Sequence, residues 1–196
     1  MQTQKTDKRT LRTRRLLQKQ LVIKLQQQEL PYITVRELTE AANINRGTFY
    51  LHYKDINDLY QALETSVVEE ITALVQPFLP LNDSAQVFQV TQSVLRYIQE
   101  NIEPCQALFR TDGTAFLRHI LIANRPTQQE VWDVFPSESD IGREYVYDYI
   151  VHGFAGIIRK WMDGGMREHP DMVSTIAQEL VSRSMGYVKS NPAEER

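Results

Sequence analysis

Residues 34–59, TVRELTEAANINRGTFYLHYKDINDL, are divided into three short helical pieces by their own capping chemistry, and few chain paths satisfy all three sets of caps. Thr34 and Glu37 have the T-x-x-E spacing of a capping box, in which the Thr hydroxyl accepts from the Glu37 amide while the Glu37 carboxylate accepts from the Thr34 amide. Ile33 and Leu38 stand at staple spacing across that start, so a helix is expected from Thr34 to about Ala42. Asn43 follows, and Asn tolerates the left-handed conformation by which a chain leaves a helix. Asn45 is placed to cap a second helix, Arg46 to about Tyr53, with Ile44 and Phe49 repeating the staple. Asp55 caps a third, with Lys54 before it and Leu59 inside. Two helices separated by about three residues have helix-turn-helix spacing.

In the second of these helices Phe49 and Tyr53 stand at i, i+4 and turn inward, which leaves Arg46, Gly47 and Tyr50 outward. An exposed Arg at the N-terminal end suits guanine acceptors in a DNA major groove, and a neighbouring Gly permits close approach to base edges. Thr48, Tyr50 and His52 carry hydroxyl or ring N–H donors suited to phosphate oxygens. Charge is segregated in the same sense. Residues 1–60 hold eleven Lys and Arg against six Asp and Glu, a net of +5, whereas the remaining 136 residues carry eleven against nineteen, a net of −8. Lys5, Lys8, Arg9, Arg12, Arg14, Arg15, Lys19 and Lys24 crowd the start of the chain with only Asp7 among them, the footprint of a nucleic-acid contact. Residues 1–8 are expected to form a flexible arm. A first helix is expected from Thr10 to Glu29, with Leu17, Leu21 and Leu25 in one stripe and Leu16, Ile23 and Leu30 in another, both buried against the helix-turn-helix.

At 196 residues the chain has room for a DNA-binding domain over 1–62 and a larger helical domain over 63–196. Period-two alternation is scarce, so the chain reads as all-α with about nine helices. A linking helix over 55–78 is followed by helices near 84–101, 104–110, 113–134, 141–163 and 170–189, with Arg125-Pro126 kinking the fourth of those six. A lone Cys105 permits no internal disulfide, and neither an apolar leader nor an ~18-residue spanning run occurs; a cytoplasmic chain with no membrane partner is expected.

In the helix over 141–163, Tyr147, Val151, Phe154, Ile158 and Trp161 form one stripe, with Val146, Ile150, Gly153 and Ile157 beside it. A helix apolar on two sides needs two partners. One is its own core; the other can be the same surface of a second chain, with Gly153 and Gly156 permitting close approach and Val173, Ile176, Leu180 and Tyr187 of the last helix completing a four-helix interface. Periodicity alone serves an ordinary buried helix equally well. Phe109, Phe116, His119, Trp132, Tyr149 and His152 supply aromatic and imidazole groups for an effector pocket, with Arg118 and Arg125 for an anion. No metal-ligand spacing is visible and no cofactor is expected.

Arg46-Gly47-Thr48-Phe49-Tyr50-Leu51-His52-Tyr53, preceded by Thr34-Val35-Arg36 and Ala41-Ala42-Asn43-Ile44, resembles the DNA-binding signature of the TetR family of transcriptional regulators over residues 10–62. The resemblance implies base contacts from Arg36, Arg46, Gly47 and Tyr50 and backbone contacts from Thr34, Thr48, Tyr50 and His52, with Asn45 beside them at the head of the reading helix. Three positions depart from the pattern: Glu29 and Asn43 stand where the family has Gly, and Ile56 stands where it has a phosphate-binding Lys, for which Lys54 offers a substitute charge. Tyr97-Ile98-Gln99-Glu100-Asn101, Asp112-Gly113 with Phe116, and the run Gly153-x-x-Gly156, Trp161, Gly164-Gly165 resemble a C-terminal type found in TetR-like regulators of low-GC Gram-positive bacteria, some of them activators or partners of a second regulator.

The resemblance implies a homodimer paired through its last two helices, a palindromic double-stranded DNA operator and an unidentified small-molecule effector that moves the linking helix, most simply a repressor released by that effector. The alternative is a TetR-shaped co-activator or interaction partner with little operator binding of its own, a reading kept open by Ile56. An enzyme is not expected, since no Ser-His-Asp, paired-carboxylate, phosphate-loop or metal spacing is present.

Overall fold

A computed structural model describes residues 2–78, 84–123 and 140–190. Among the described residues all regular structure is helical: α1 (Gln2–Leu25), α2 (Val35–Ala41), α3 (Arg46–Tyr50), α4 (Ile56–Val75), α5 (Ser84–Glu100), α6 (Ile102–Ala123), α7 (Asp140–Asp163) and α8 (Pro170–Ser190), with 3-10 turns at Leu30–Tyr32 and Gln76–Phe78. The break expected at Asp112-Gly113 is present as a kink rather than a loop: Asp112 takes φ −157 and ψ 84 inside α6, and its carboxylate accepts from the Ala115 amide at 2.9 Å to restart the helix. The expected kink at Arg125-Pro126, and Trp132, lie outside the described residues. No described helix is long and apolar enough to cross a membrane.

The chain divides into two units, Met1–Val67 with Glu103–Thr111, and Val68–Ile102 with Asp112–Arg196. The division therefore falls inside α4 rather than at residue 62, and a piece of α6 joins the first unit. There Arg110 donates to the Gln26 carbonyl at 3.1 Å, just past the C-terminal end of α1.

In the first unit α1 packs on α2 and α2 on α3. Leu17, Leu21, Val22 and Leu25 form the buried seam of α1, while Leu16, Ile23 and Leu30 are only half-buried, so the first expected stripe is the core-facing one. Leu38, Phe49 and Leu59 are fully buried, with Ile33, Ala42, Tyr53 and Leu63 around them. Helix α1 starts and ends earlier than expected. Residues 2–9 contain neither Gly nor Pro, and the helical backbone runs through the segment expected as an arm. At the other end Glu29 takes extended backbone (φ −74, ψ 152) before the 3-10 turn, and the chain leaves α1 through turns in which Gln27 and Gln28 both donate to the Lys24 carbonyl.

In the second unit α5 lies along α8, with α7 also against α8. Leu95 and Ile98 of α5, Ala155, Ile158, Trp161 and Met162 of α7, and Val173, Ser174 and Ala177 of α8 are buried. Gln92 and Arg96 of α5 both donate to the Asp171 carboxylate in the first turn of α8, a polar clasp across the pair. The turn after α7 is a Schellman motif: Gly165 donates to the Met162 carbonyl at 3.0 Å and Met166 to that of Trp161 at 2.9 Å. Gly165 sits at φ 77, where a side chain is disfavoured. The Trp161 indole N–H closes the turn by donating to the Glu168 carbonyl at 2.9 Å.

Because Phe49 of α3 is fully buried, Phe49→Ala is expected to cost about 3–5 kcal/mol, read as a lowered urea midpoint with an unchanged m-value.

Candidate nucleic-acid interface

Helix α3 has only five residues, so its placement comes from its ends and from what it buries. Upstream, the capping box is complete: Glu37 N–H donates to Thr34 Oγ1 at 3.2 Å, and Thr34 N–H donates to Glu37 Oε2 at 2.9 Å. The Thr34 hydroxyl, followed by its amide, holds the Glu37 carboxyl below its usual value of 4.5. That carboxylate's contribution is therefore present above the ordinary Glu range and is lost as pH falls through the depressed value. Helix α2 ends in a second Schellman motif, Asn43 donating to the Glu40 carbonyl at 3.1 Å and Ile44 to that of Thr39 at 3.0 Å. Asn43 takes φ 52, so it serves where the family's Gly would. Asn45 then caps α3 by accepting from the Gly47 amide at 2.9 Å. After α3, Asp55 accepts from Asp58 N–H at 2.9 Å and Asp58 from Lys54 N–H at 2.7 Å, which starts α4 at Ile56.

Phe49 and Tyr53 point inward with ring centroids 5.9 Å apart, and Tyr50 stands edge-on to Phe49 at 5.4 Å with half its surface exposed. Arg46, Gly47 and Lys54 are exposed, Thr48 and His52 half-buried, and Thr34, Arg36 and Asn45 exposed. A Cβ at Gly47 would meet only Asn45 Oδ1, at an ordinary 3.5 Å. The fold does not demand Gly at this position; an outside surface coming close would. Leu51, 82% exposed at the end of α3, was not among the residues singled out by sequence, where an isolated Leu carries no distinguishing signal.

Arg36 is held by Glu40 at 2.7 Å in an exposed i, i+4 pair, which restrains the guanidinium weakly because both groups are solvated. The His52 ring is pushed below its usual 6.5, first by burial and then by the Arg14 guanidinium. Arg14 of α1 thus acts on His52 just past α3, a link that sequence separation hides. Glu29 takes φ −74 at the head of the 3-10 turn, so no left-handed residue is needed where the family has Gly. Ile56 is half-buried at the first position of α4, while Lys54 is exposed two residues earlier.

In the second unit the sequence expectations are redistributed. Phe116 is fully buried in the second unit and Phe109 is buried in the first, whereas His119, Tyr149 and His152 are exposed. Arg118 lies 3.7 Å from Asp148 and is engaged within the chain. His152 donates through Nδ1 to the Asp148 carbonyl at 2.7 Å. Of the stripe expected at a dimer interface, Ile158 and Trp161 are each only 3% exposed and belong to the protomer's own core, and Phe154 is half-buried; the side chains of Tyr147 and Val151 lie outside the described residues. Ile176 and Leu180 are nearly half exposed, and a Cβ at Gly153 or Gly156 would meet nothing within 4 Å.

Residues 86–183, half of the chain, match the family model of the TetR transcriptional regulator C-terminal region. No curated protein sequence matches the chain. Among solved structures, it is similar to a TetR transcriptional regulator from Streptococcus agalactiae (TM-score 0.67, 16% identity, covering 91% of this chain and 98% of that one). It is also similar to the fatty acid degradation regulator FadR from Bacillus halodurans (TM-score 0.64, 10% identity, 86% and 94% covered). The dihydroxyacetone kinase operon activator DhaS is a third similar structure (TM-score 0.55, 16% identity, 89% and 97% covered). With its all-helical fold and this match across its C-terminal half, the chain belongs to the TetR family of transcriptional regulators.

Proposed function

We propose that the protein binds a palindromic DNA operator as a homodimer and represses transcription until a small molecule held in its C-terminal region releases it. The observation that carries this reading is α3: full burial of Phe49 fixes a capped helix whose Arg46, Gly47 and Tyr50 all face out. Arg46 reads base edges with Gly47 and Tyr50 beside it, Arg36 reads from α2, and Thr34, Asn45, Thr48, His52 and Lys54 hold phosphates. Two such helices set roughly 34 Å apart span successive major grooves, so an effector that changes their separation changes affinity. The dimer face proposed is the exposed side of α7 and α8, Gly153 and Gly156 with Ile176 and Leu180.

A second reading is favoured by the similarity to an operon activator and by Ile56 in the place of a phosphate-binding Lys: the protein activates transcription, or acts through a partner regulator. Selection of bound sequences from a random duplex pool at two salt concentrations separates the two. A palindromic consensus with steep salt dependence supports the operator reading, and no enrichment at low salt favours the partner reading.

Arg46→Ala is expected to cost about 1–3 kcal/mol on the selected operator and to relax discrimination at one base position; an intact preference would remove Arg46 as the reader. Gly47→Ala is expected to raise thermal stability, by up to about 1 kcal/mol from helix propensity, while weakening operator binding through loss of close approach. His52 is depressed below 6.5 in the free protein, so a phosphate beside it favours its protonated form and binding takes up a proton. Affinity is therefore expected to rise as pH falls through the ordinary His range, and His52→Gln to flatten that profile. Ile176→Glu is expected to shift sedimentation from dimer to monomer and to abolish palindrome selection.

A further inference from the structure

We propose that α1 carries a second phosphate-binding track, Lys8, Arg12, Arg15 and Lys19, which grips duplex DNA independently of the α2–α3 reading surface. The four residues follow steps of four, three and four along α1 and are all exposed. At 3.6 residues per turn they fall within about 60° of one another, and their mean direction lies about 150° from that of the buried Leu17, Leu21 and Leu25. Among the described side chains none of the four is paired with a carboxylate. Arg14, which acts on His52, lies off this row, so α1 offers one cation toward α3 and a separate line of four elsewhere.

The line extends about 16 Å at 1.5 Å per residue, a length over which B-DNA carries on the order of nine charges. A solvated helix face tends to mix signs and form i, i+4 ion pairs, as Arg36–Glu40 and Glu179–Arg183 do in this chain. Here no acidic residue occurs from Lys8 through Gln28, the cost of which is mutual repulsion that a polyanion relieves. A duplex fits better than an anionic bilayer, because the apolar seam an interfacial helix would insert is already buried in the first unit's core. The track carries no base-reading geometry, so it adds affinity and salt dependence without sequence preference.

The inference deepens the DNA-binding reading proposed above, and its test separates the two. The full chain and a Lys8→Gln, Arg12→Gln, Arg15→Gln, Lys19→Gln variant are titrated with a duplex of random sequence, with the selected operator and with phosphatidylserine vesicles, across a salt series. Gln keeps helix propensity, and a charge-preserving variant with Lys8→Arg, Arg12→Lys, Arg15→Lys and Lys19→Arg controls for folding. The expected result is a slope of log K against log salt shallower by about 3–4 per chain in the Gln variant on either duplex, with wild-type slopes in the charge-preserving one. Sequence preference should be unchanged in both. A wild-type slope on duplex in the Gln variant overturns the track even if the operator reading holds. Failure of the wild type to select any sequence, with the slope change still present on random duplex, overturns the operator reading and leaves the track standing. Loss confined to vesicles overturns the track as a DNA site.

Discussion

A seven-residue helix and a five-residue helix have almost no internal hydrogen bonds, so the first unit depends on what becomes of the backbone groups at their ends. Each end is satisfied locally: the Thr34–Glu37 box at the head of α2, the Asn43–Ile44 Schellman turn at its tail, Asn45 at the head of α3 and the Asp55–Asp58 pair at the head of α4. With their ends closed, the two short helices are held by few buried side chains, Leu38 and Thr39 in α2 and Phe49 in α3. The outward residues of α3 inherit their positions from Phe49. The surface is therefore a consequence of the caps as much as of the residues that compose it.

The same end-capping device recurs in the second unit with different residues. Asn43 and Gly165 each occupy the left-handed position of a Schellman turn, and Ile44 and Met166 each donate back across it. In the first unit the turn leads from α2 into α3; in the second it folds the chain from α7 into α8 while Trp161 is buried beneath and tied to Glu168. A family Gly replaced by Asn43 is thus a change of residue without a change of backbone, which is why that departure leaves the fold intact.

The candidate DNA surface was legible because its determinants are local. Capping boxes, staples and inward aromatic pairs operate over three to five residues, and Thr34, Asn45, Phe49 and Tyr53 all took the roles their spacing assigned. What the spacing missed is what comes from elsewhere in the chain: the charge of Arg14 acting on His52, and Arg110 on the Gln26 carbonyl. The partner of each apolar stripe was less legible for the opposite reason. An apolar stripe reports that a face is buried and not by what, so Ile158 and Trp161 went to the protomer's core while Ile176 and Leu180 remained partly exposed.

The sequence by itself determined the helical class, the three capped pieces of the helix-turn-helix, the left-handed turn at Asn43, and a basic first unit set against an acidic remainder. These depend on side chain-to-backbone chemistry and on composition, both of which are written within a few residues or in a count. Only the tertiary structure decided that α4 and α6 are each divided between two units, that among the described residues α5 packs along α8 more extensively than α7 does, and which stripe of α7 faces the core. Those outcomes turn on which of several competing apolar faces meet. Side chains far apart in sequence settle that through packing and through clasps such as Gln92 and Arg96 on Asp171.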